Sequence, residues 1–169
     1  MELPKRKGLR LKYFNYNNSG SYFITICTKD NKEILSKIID SQSITQNPKV
    51  ELSNYGKIAE KYINELNSFY DDISIDKFVI MPNHIHLLIT VSAKESNLKC
   101  DNPFKKEDNT NSKISKLVST FKRFCNKEYC ENIWQSRFFD HVIRCKKDYQ
   151  ETWLYIEHNP RRWIEKRIK

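Results

Sequence analysis

Met81-Pro82-Asn83-His84-Ile85-His86-Leu87-Leu88-Ile89 is the stretch that decides how this chain is read. A strand repeats every two residues, so His84 and His86 are predicted to share one face while Ile85, Leu87, Ile89 and Val91 fill the other. The apolar face anchors the strand in a core. Two imidazoles side by side on a rigid strand form half of a site for a divalent metal. The same spacing also fits two partly buried, hydrogen-bonded histidines. Pro82-Asn83 is turn chemistry, and Ile73 to Ile80 before it reads as a strand, so the two strands are expected to pair as a hairpin.

Working outward, Tyr22-Phe23-Ile24-Thr25-Ile26-Cys27-Thr28 is β-branched and aromatic and predicts a strand. A short strand or turn is expected at Val50-Glu51-Leu52. Ser53 suits the N-cap of a helix running to about Tyr70, with Ile58, Tyr62, Leu66 and Phe69 at helical spacing. Ser112 to Lys127 predicts a second helix, with Ile114, Leu117, Val118, Phe121, Phe124 and Cys125 along one stripe. Phe138 to Arg144 reads as a strand. A last helix is expected from about Lys147 to His158, ended by Pro160, which restricts Asn159. Residues 92–111 are polar and aperiodic and read as a flexible loop inside a single domain spanning 1–169. Strands and helices in mixed order, with a hairpin among them, imply an α+β fold: an antiparallel sheet with helices on one side.

Charge narrows the partner. Thirty basic residues against 21 acidic ones give a net charge of +9, which suits a polyanion. The cations fall into three groups. Lys5, Arg6, Lys7, Arg10 and Lys12 form an N-terminal arm. Lys113, Lys116, Arg123 and Lys127 line one face of the second helix, a stretch without an acidic residue. Arg161 and Arg162 open a basic C-terminal tail. No segment has the length of a membrane span and no signal peptide is visible, so a cytoplasmic protein without a membrane partner is expected. A membrane-surface role is disfavoured because the cations are not joined to an exposed apolar helix face. The five cysteines are scattered, and Cys125 and Cys130 lack a second pair to complete a zinc site, so all five read as reduced thiols.

On the last helix, Tyr155 and Asn159 are four residues apart and therefore neighbours on one face. Tyr155 carries a phenol able to attack phosphorus, and Asn159 an amide oxygen able to ligate a metal beside it. A helix C-terminus here would add partial negative charge favouring a nearby cation. Tyr149 and Tyr129 are rival nucleophiles by chemistry, and spacing alone does not bring this helix to the histidine strand.

These landmarks together resemble the REP-associated tyrosine transposases, within the single-tyrosine transposases of the HUH superfamily (His, hydrophobic, His). The resemblance is carried by Arg10-Leu11-Lys12 with the Tyr22–Thr28 strand, by Met81–Leu88, and by the basic helix at Ile114 to Phe124. It continues in Trp134-Gln135 through Phe139-Asp140-His141-Val142-Ile143-Arg144, and ends in Tyr155-Ile156-Glu157-His158-Asn159-Pro160. The resemblance implies a ferredoxin-like core, Tyr155 as nucleophile, and His84, His86 and Asn159 around Mg²⁺ or Mn²⁺. It also implies cleavage and rejoining of single-stranded, hairpin-forming DNA through a 5′-phosphotyrosine link, by a monomer or homodimer. The lysine-rich 92–111 loop and the early end of the chain depart from the pattern. The main alternative is a non-catalytic, domesticated nucleic-acid-binding module with the same fold. A water-using metal phosphodiesterase is a further one.

Overall fold

A computed structural model describes residues 19–40, 48–92 and 112–168. The N-terminal arm with its five cations and most of the 92–111 loop lie outside the described residues.

The main sheet has four strands in the order β4-β5-β1-β6: β1 (Gly20–Cys27), β4 (Ile73–Ile80), β5 (His84–Val91) and β6 (Phe139–Ile143). All neighbours run antiparallel. Helix α1 (Asn54–Phe69) joins β1 to β4, and α2 (Lys113–Tyr129) joins β5 to β6. With the small hairpin set aside, the order is strand-helix-strand-strand-helix-strand, the ferredoxin-like α+β arrangement expected from the sequence. That hairpin pairs β2 (Ser36–Ile39) with β3 (Lys49–Leu52). Only β3 is announced by its residues; β2 is a four-residue piece with too short a pattern to stand out.

Alternation along β1 and β5 makes the two faces of the sheet. Tyr22, Ile24, Ile26, Ile85, Leu87 and Ile89 turn to one side, each at most 1% exposed, where they meet α1 and α2. The buried stripe of α1 is Ala59, Ile63 and Leu66, turned from the predicted one; Ile58 and Tyr62 are half-buried and Phe69 is 76% exposed in the last turn. The stripe of α2 is as expected apart from Phe124, which is exposed. Burial of this kind stabilises by about 1.5–3 kcal/mol per large side chain. Both helices have the predicted N-caps: the Ser53 and Ser112 hydroxyls accept from the backbone N–H of Gly56 and Ser115. Gly56 has no room for a side chain, because a Cβ there would stand 2.1 Å from the Leu35 carbonyl oxygen.

The expectation of helices on one side holds for α1 and α2 only: a third helix, α3 (Lys146–Ile168), lies across the other face of the sheet, where Tyr155 meets Phe23 and His86. It is tied down mainly through β4. Tyr149 donates to Asp76 at 3.0 Å, and Lys77 pairs with Glu157 at 2.9 Å while its ammonium sits over the Trp153 ring. Pro160 does not end this helix. It is buried inside it, and the chain stays helical to Ile168. An interior proline costs roughly 3 kcal/mol in an isolated helix. Here the turns beyond it are held by contacts with other elements: Trp163 against His84, and Arg167 paired with Glu33. Asn159 is therefore not at a helix C-terminus, and the expected dipole contribution at that position does not apply.

Candidate active site

The turn ahead of β5 is clamped from two sides. Thr28 donates its backbone N–H to the Asn83 carbonyl at 2.9 Å, its hydroxyl is shared between that carbonyl at 3.0 Å and the Lys32 carbonyl at 2.8 Å, and the Leu35 N–H donates to the Pro82 carbonyl at 3.0 Å. Met81 N–H closes the hairpin onto the His84 carbonyl at 2.8 Å. His84 thus leaves a fixed turn. The register sets Cys27 opposite His84 and Thr25 opposite His86.

The two imidazoles converge. Their Nε2 atoms are 3.1 Å apart, while each Nδ1 is held by an oxygen: His84 by Asn83 Oδ1 at 2.6 Å and His86 by Thr25 Oγ1 at 2.8 Å. The amide oxygen of Asn83 only accepts, so His84 carries its proton on Nδ1 and presents a bare Nε2. The Thr25 hydroxyl both donates and accepts, so it serves either tautomer of His86. Burial holds His84 down to about 4, with the Lys166 ammonium adding to it, and His86 down to about 3, with His84 adding. Both rings are neutral at physiological pH, the form that ligates a metal. Separation by 3.1 Å also fits neighbouring donors on one ion, given metal–nitrogen bonds of about 2.1 Å. Among the described residues no cluster of three or more His, Cys, Asp or Glu could hold a metal. Asn159, only 6% exposed, carries an amide oxygen and lines the same groove as His84.

Tyr155 stands beside the histidine pair. Its ring stands edge-on to His86 at 5.4 Å and to Phe23 at 5.7 Å between centroids, and Phe23 also packs on His86 at 4.9 Å. The Arg162 guanidinium lies 5.1 Å over the Tyr155 ring. Tyr155 borders two grooves. One, of about 740 Å³, also holds His84 and Asn159. The other, of about 620 Å³, holds His141 and Asp148. His141 Nε2 lies 3.0 Å from a carboxylate oxygen of Asp148, which also accepts the Arg144 N–H.

The rival tyrosines are engaged elsewhere. Tyr149 donates to Asp76, and its burial together with that carboxylate pushes the phenol up to about 12. Tyr129 donates to the Tyr55 carbonyl at 2.6 Å, packs against the α1–α2 side of the core, and is pushed well above the ordinary range by burial.

The predicted cations divide. Arg162 is brought to Tyr155, and Arg161 is its neighbour on α3. Lys113, Lys116, Arg123 and Lys127 are not brought there, because α2 covers the opposite face of the sheet. That stripe also has counter-charge after all: Lys113 pairs with Asp72 at 2.6 Å across the fold, which no reading of the helix alone could find. Sequence reasoning missed Thr25, Trp163 and the His141–Asp148 pair. Cross-strand register is the signal that would have found Thr25.

The fold is the ferredoxin-like α+β arrangement that the resemblance implies. No protein-family model matches the chain. An uncharacterized Haemophilus influenzae protein is 30% identical over 174 residues, covering 96% of this chain and 92% of that protein. A second H. influenzae protein, assigned as a REP-associated tyrosine transposase, is 31% identical over 59% of each chain. The REP-associated tyrosine transposase of Escherichia coli K12 is 30% identical over 51% of this chain and 43% of its own length. The chain therefore spans about half the length of the two named relatives. Among solved structures, a REP-associated tyrosine transposase bound to a REP hairpin superposes with a TM-score of 0.57 at 21% identity, over 90% of this chain and 72% of that one. Over the matched spans the chain is similar in sequence to REP-associated tyrosine transposases, and it shares the fold of the solved one. No helix among the described residues is long and apolar enough to cross a membrane.

Proposed function

We propose that this protein cleaves and rejoins single-stranded, hairpin-bearing DNA by transesterification through Tyr155. The observation that carries the reading is the meeting of Tyr155, the two convergent Nε2 atoms and Asn159 beside one groove, while Tyr149 and Tyr129 are bound to other partners.

Tyr155 Oη attacks the scissile phosphorus in line. An Oη–P bond forms and the P–O3′ bond breaks. The strand end keeps its 5′ phosphate on the tyrosine, and the 3′ oxygen leaves as a hydroxyl. The proton lost by the phenol is matched by the one the 3′ oxygen gains, and one ester replaces another, so no nucleotide cofactor is consumed. Attack by the same or another 3′-hydroxyl reverses the step and rejoins a strand.

An ordinary tyrosine titrates near pH 10 and is a weak nucleophile at neutral pH, so the barrier has to fall by other means. His84, His86 and Asn159 fit a divalent ion, which when bound supplies positive charge for the phosphate oxygens as the transition state gains charge. Two imidazoles suit Mn²⁺ better than Mg²⁺, whereas cellular supply favours Mg²⁺. Asn83 and Thr25 fix the imidazole orientations. Phe23 and His86 hold the Tyr155 ring edge-on, and Arg162 offers a guanidinium for the phosphate being attacked.

The test is a covalent-adduct assay. Labelled single-stranded hairpin DNA is incubated with the protein and Mg²⁺ or Mn²⁺, then run on a denaturing gel beside Tyr155→Phe. The expected result is a metal-dependent shifted band that the variant lacks. A band that persists in Tyr155→Phe assigns the nucleophile elsewhere. Tight binding with no band favours a DNA-binding module without catalysis, and free ends with no adduct favour a water nucleophile.

A further inference from the structure

The two helical turns beyond Pro160 form a wall of the Tyr155 groove. From Arg161 to Ile168 they carry four cations and one carboxylate, Glu165. Arg162, Trp163 and Lys166 face His84, Tyr155 and Asn159 across about 740 Å³, a volume within the roughly 300–1,000 Å³ usual for sites that take a small molecule or nucleotide. Trp163 is the aromatic member of that wall. Its ring lies 5.9 Å from the His84 ring, and the Arg167 guanidinium stacks 4.5 Å from its centroid. Arg167 is itself fixed by its pair with Glu33 near β2. The indole is therefore positioned by His84 and Arg167, and it is half-exposed beside the groove.

A flat aromatic ring with cations on the same helix, next to a phosphate-attacking tyrosine, is the combination that binds unpaired nucleotides: bases stack on the ring and the charges follow the backbone. A base inside a duplex has no free face to offer. Arg162 and Lys166 against Glu165 leave the groove lining net positive, which favours an anionic occupant.

We infer that Trp163 is a stacking platform for one unpaired base adjoining the scissile phosphate, with Arg162 and Lys166 holding the backbone phosphates of that nucleotide. This rests on the reading of Tyr155 as the residue that meets the scissile phosphate. The subsite contributes position rather than chemistry. It fixes the nucleotide beside the bond to be broken, so that the phosphorus lies in line with Oη.

The test uses full-length protein in the Tyr155→Phe background with chelator present, so binding is read apart from cleavage and from metal. The probe is a labelled DNA hairpin with mixed-sequence single-stranded flanks on both sides, made abasic at one flank position at a time. In the background protein, abasic substitution at one or two adjacent positions is expected to weaken binding about 5- to 100-fold, the range of a single base–aromatic stack. Adding Trp163→Ala should weaken binding to the intact probe by a similar factor and erase that positional sensitivity. Trp163→Phe should restore most of both. Arg162→Ala and Lys166→Ala should each lower the slope of log affinity against log salt by about 0.7.

Three results overturn the inference: affinity for the intact probe within about twofold of the parent, the same abasic profile in Trp163→Ala, or no binding by the parent at all. Melting temperature and Mn²⁺ binding are measured on the same variants. A Trp163→Ala protein that loses Mn²⁺ binding with an unchanged abasic profile makes Trp163 a positioning residue for His84 instead. The two readings fail separately: binding with no adduct from the wild-type protein rejects Tyr155 as nucleophile, whereas adduct formation with a Trp163-independent profile rejects only the stacking subsite.

Discussion

Ile85 and His86 are chain neighbours on β5 and lie on opposite sides of the sheet. Ile85 is fully buried among the side chains that meet α1 and α2, and His86 is 5% exposed under α3. The same contrast runs along β1, where Ile24 faces the core and Thr25 holds the His86 ring. On these strands one side is packed with aliphatic groups that need no partner, Tyr22 being the polar-tipped exception. The other buries the His86 imidazole and the Asn159 amide and half-buries His84 and Tyr155, polar groups that need specific neighbours. The apolar side supplies the rigidity that the polar side uses, because a strand fixed on one face cannot shift register without moving every side chain on the other.

Two adjacent substitutions test that division. His86→Ala should reduce adduct formation by more than about 100-fold through loss of a ligand, while leaving the melting temperature in chelator little changed or raised at low pH. Ile85→Ala should do the reverse: about 2–5 kcal/mol of folding stability lost, read by denaturant titration, with residual folded protein still binding Mn²⁺. A large stability loss in His86→Ala would mean that the polar face is part of the core, and the contrast between the faces would fail.

Acid separates the faces without any mutation. The folded-state imidazoles titrate near 4 and 3, against about 6.5 in an unfolded chain. Above pH 6.5 neither state binds these protons, so the full stability is present. As pH falls below 6.5 the unfolded chain takes up two protons that the folded chain refuses, and stability falls with pH until the folded rings protonate near 4 and 3. Melting in chelator should therefore show a decline across that window. A His84→Gln, His86→Gln double variant should lose most of it, while Ile85→Ala should keep the same slope from a lower starting point. An unchanged slope in the double variant would place the acid sensitivity in other groups.

A smaller effect is expected at Thr25. Its hydroxyl can accept from His86 Nδ1–H or donate to a bare Nδ1, so it serves the metal-binding and metal-free tautomers alike. Thr25→Val keeps the shape and removes that bond. Mn²⁺ affinity, followed by calorimetric titration, should fall about 10- to 100-fold, the usual cost of losing the oxygen that orients a ligating histidine. Unchanged affinity would show that packing against Phe23, 4.9 Å away between ring centroids, is enough to hold the His86 ring.

The strands that build this contrast were legible because their pattern is local. The β4–β5 hairpin, β1, the caps at Ser53 and Ser112 and the pairing of Tyr155 with Asn159 all rest on residues a few positions apart. What escaped depends on contacts between distant segments. Pro160 breaks an isolated helix, yet α3 continues because Trp163 and Arg167 reach His84 and Glu33, far away in the chain. Lys113 looks unpaired along α2 and meets Asp72 only in the fold. Tyr149 and Tyr129 look equal to Tyr155 on chemistry alone, and only the fold gives them their partners, Asp76 for one and the Tyr55 carbonyl for the other.

The smallest expected effect concerns the cations of α2. Lys116, Arg123 and Lys127 are exposed, but α2 covers the apolar face, with the sheet between it and Tyr155. A short single strand lying across α3 and the Tyr155 groove does not reach them. Replacing all three by Ala should change hairpin-DNA affinity by no more than about twofold and leave the salt slope as it was, whereas Arg162→Ala alone should lower that slope by about 0.7. Because phosphate contacts add roughly one counterion each, the slope counts contacts without any knowledge of the DNA sequence. A drop of about 2 in the triple variant would require the DNA to pass around the sheet edge and touch both faces at once, and the separation of a packing face from a DNA-facing one would no longer hold.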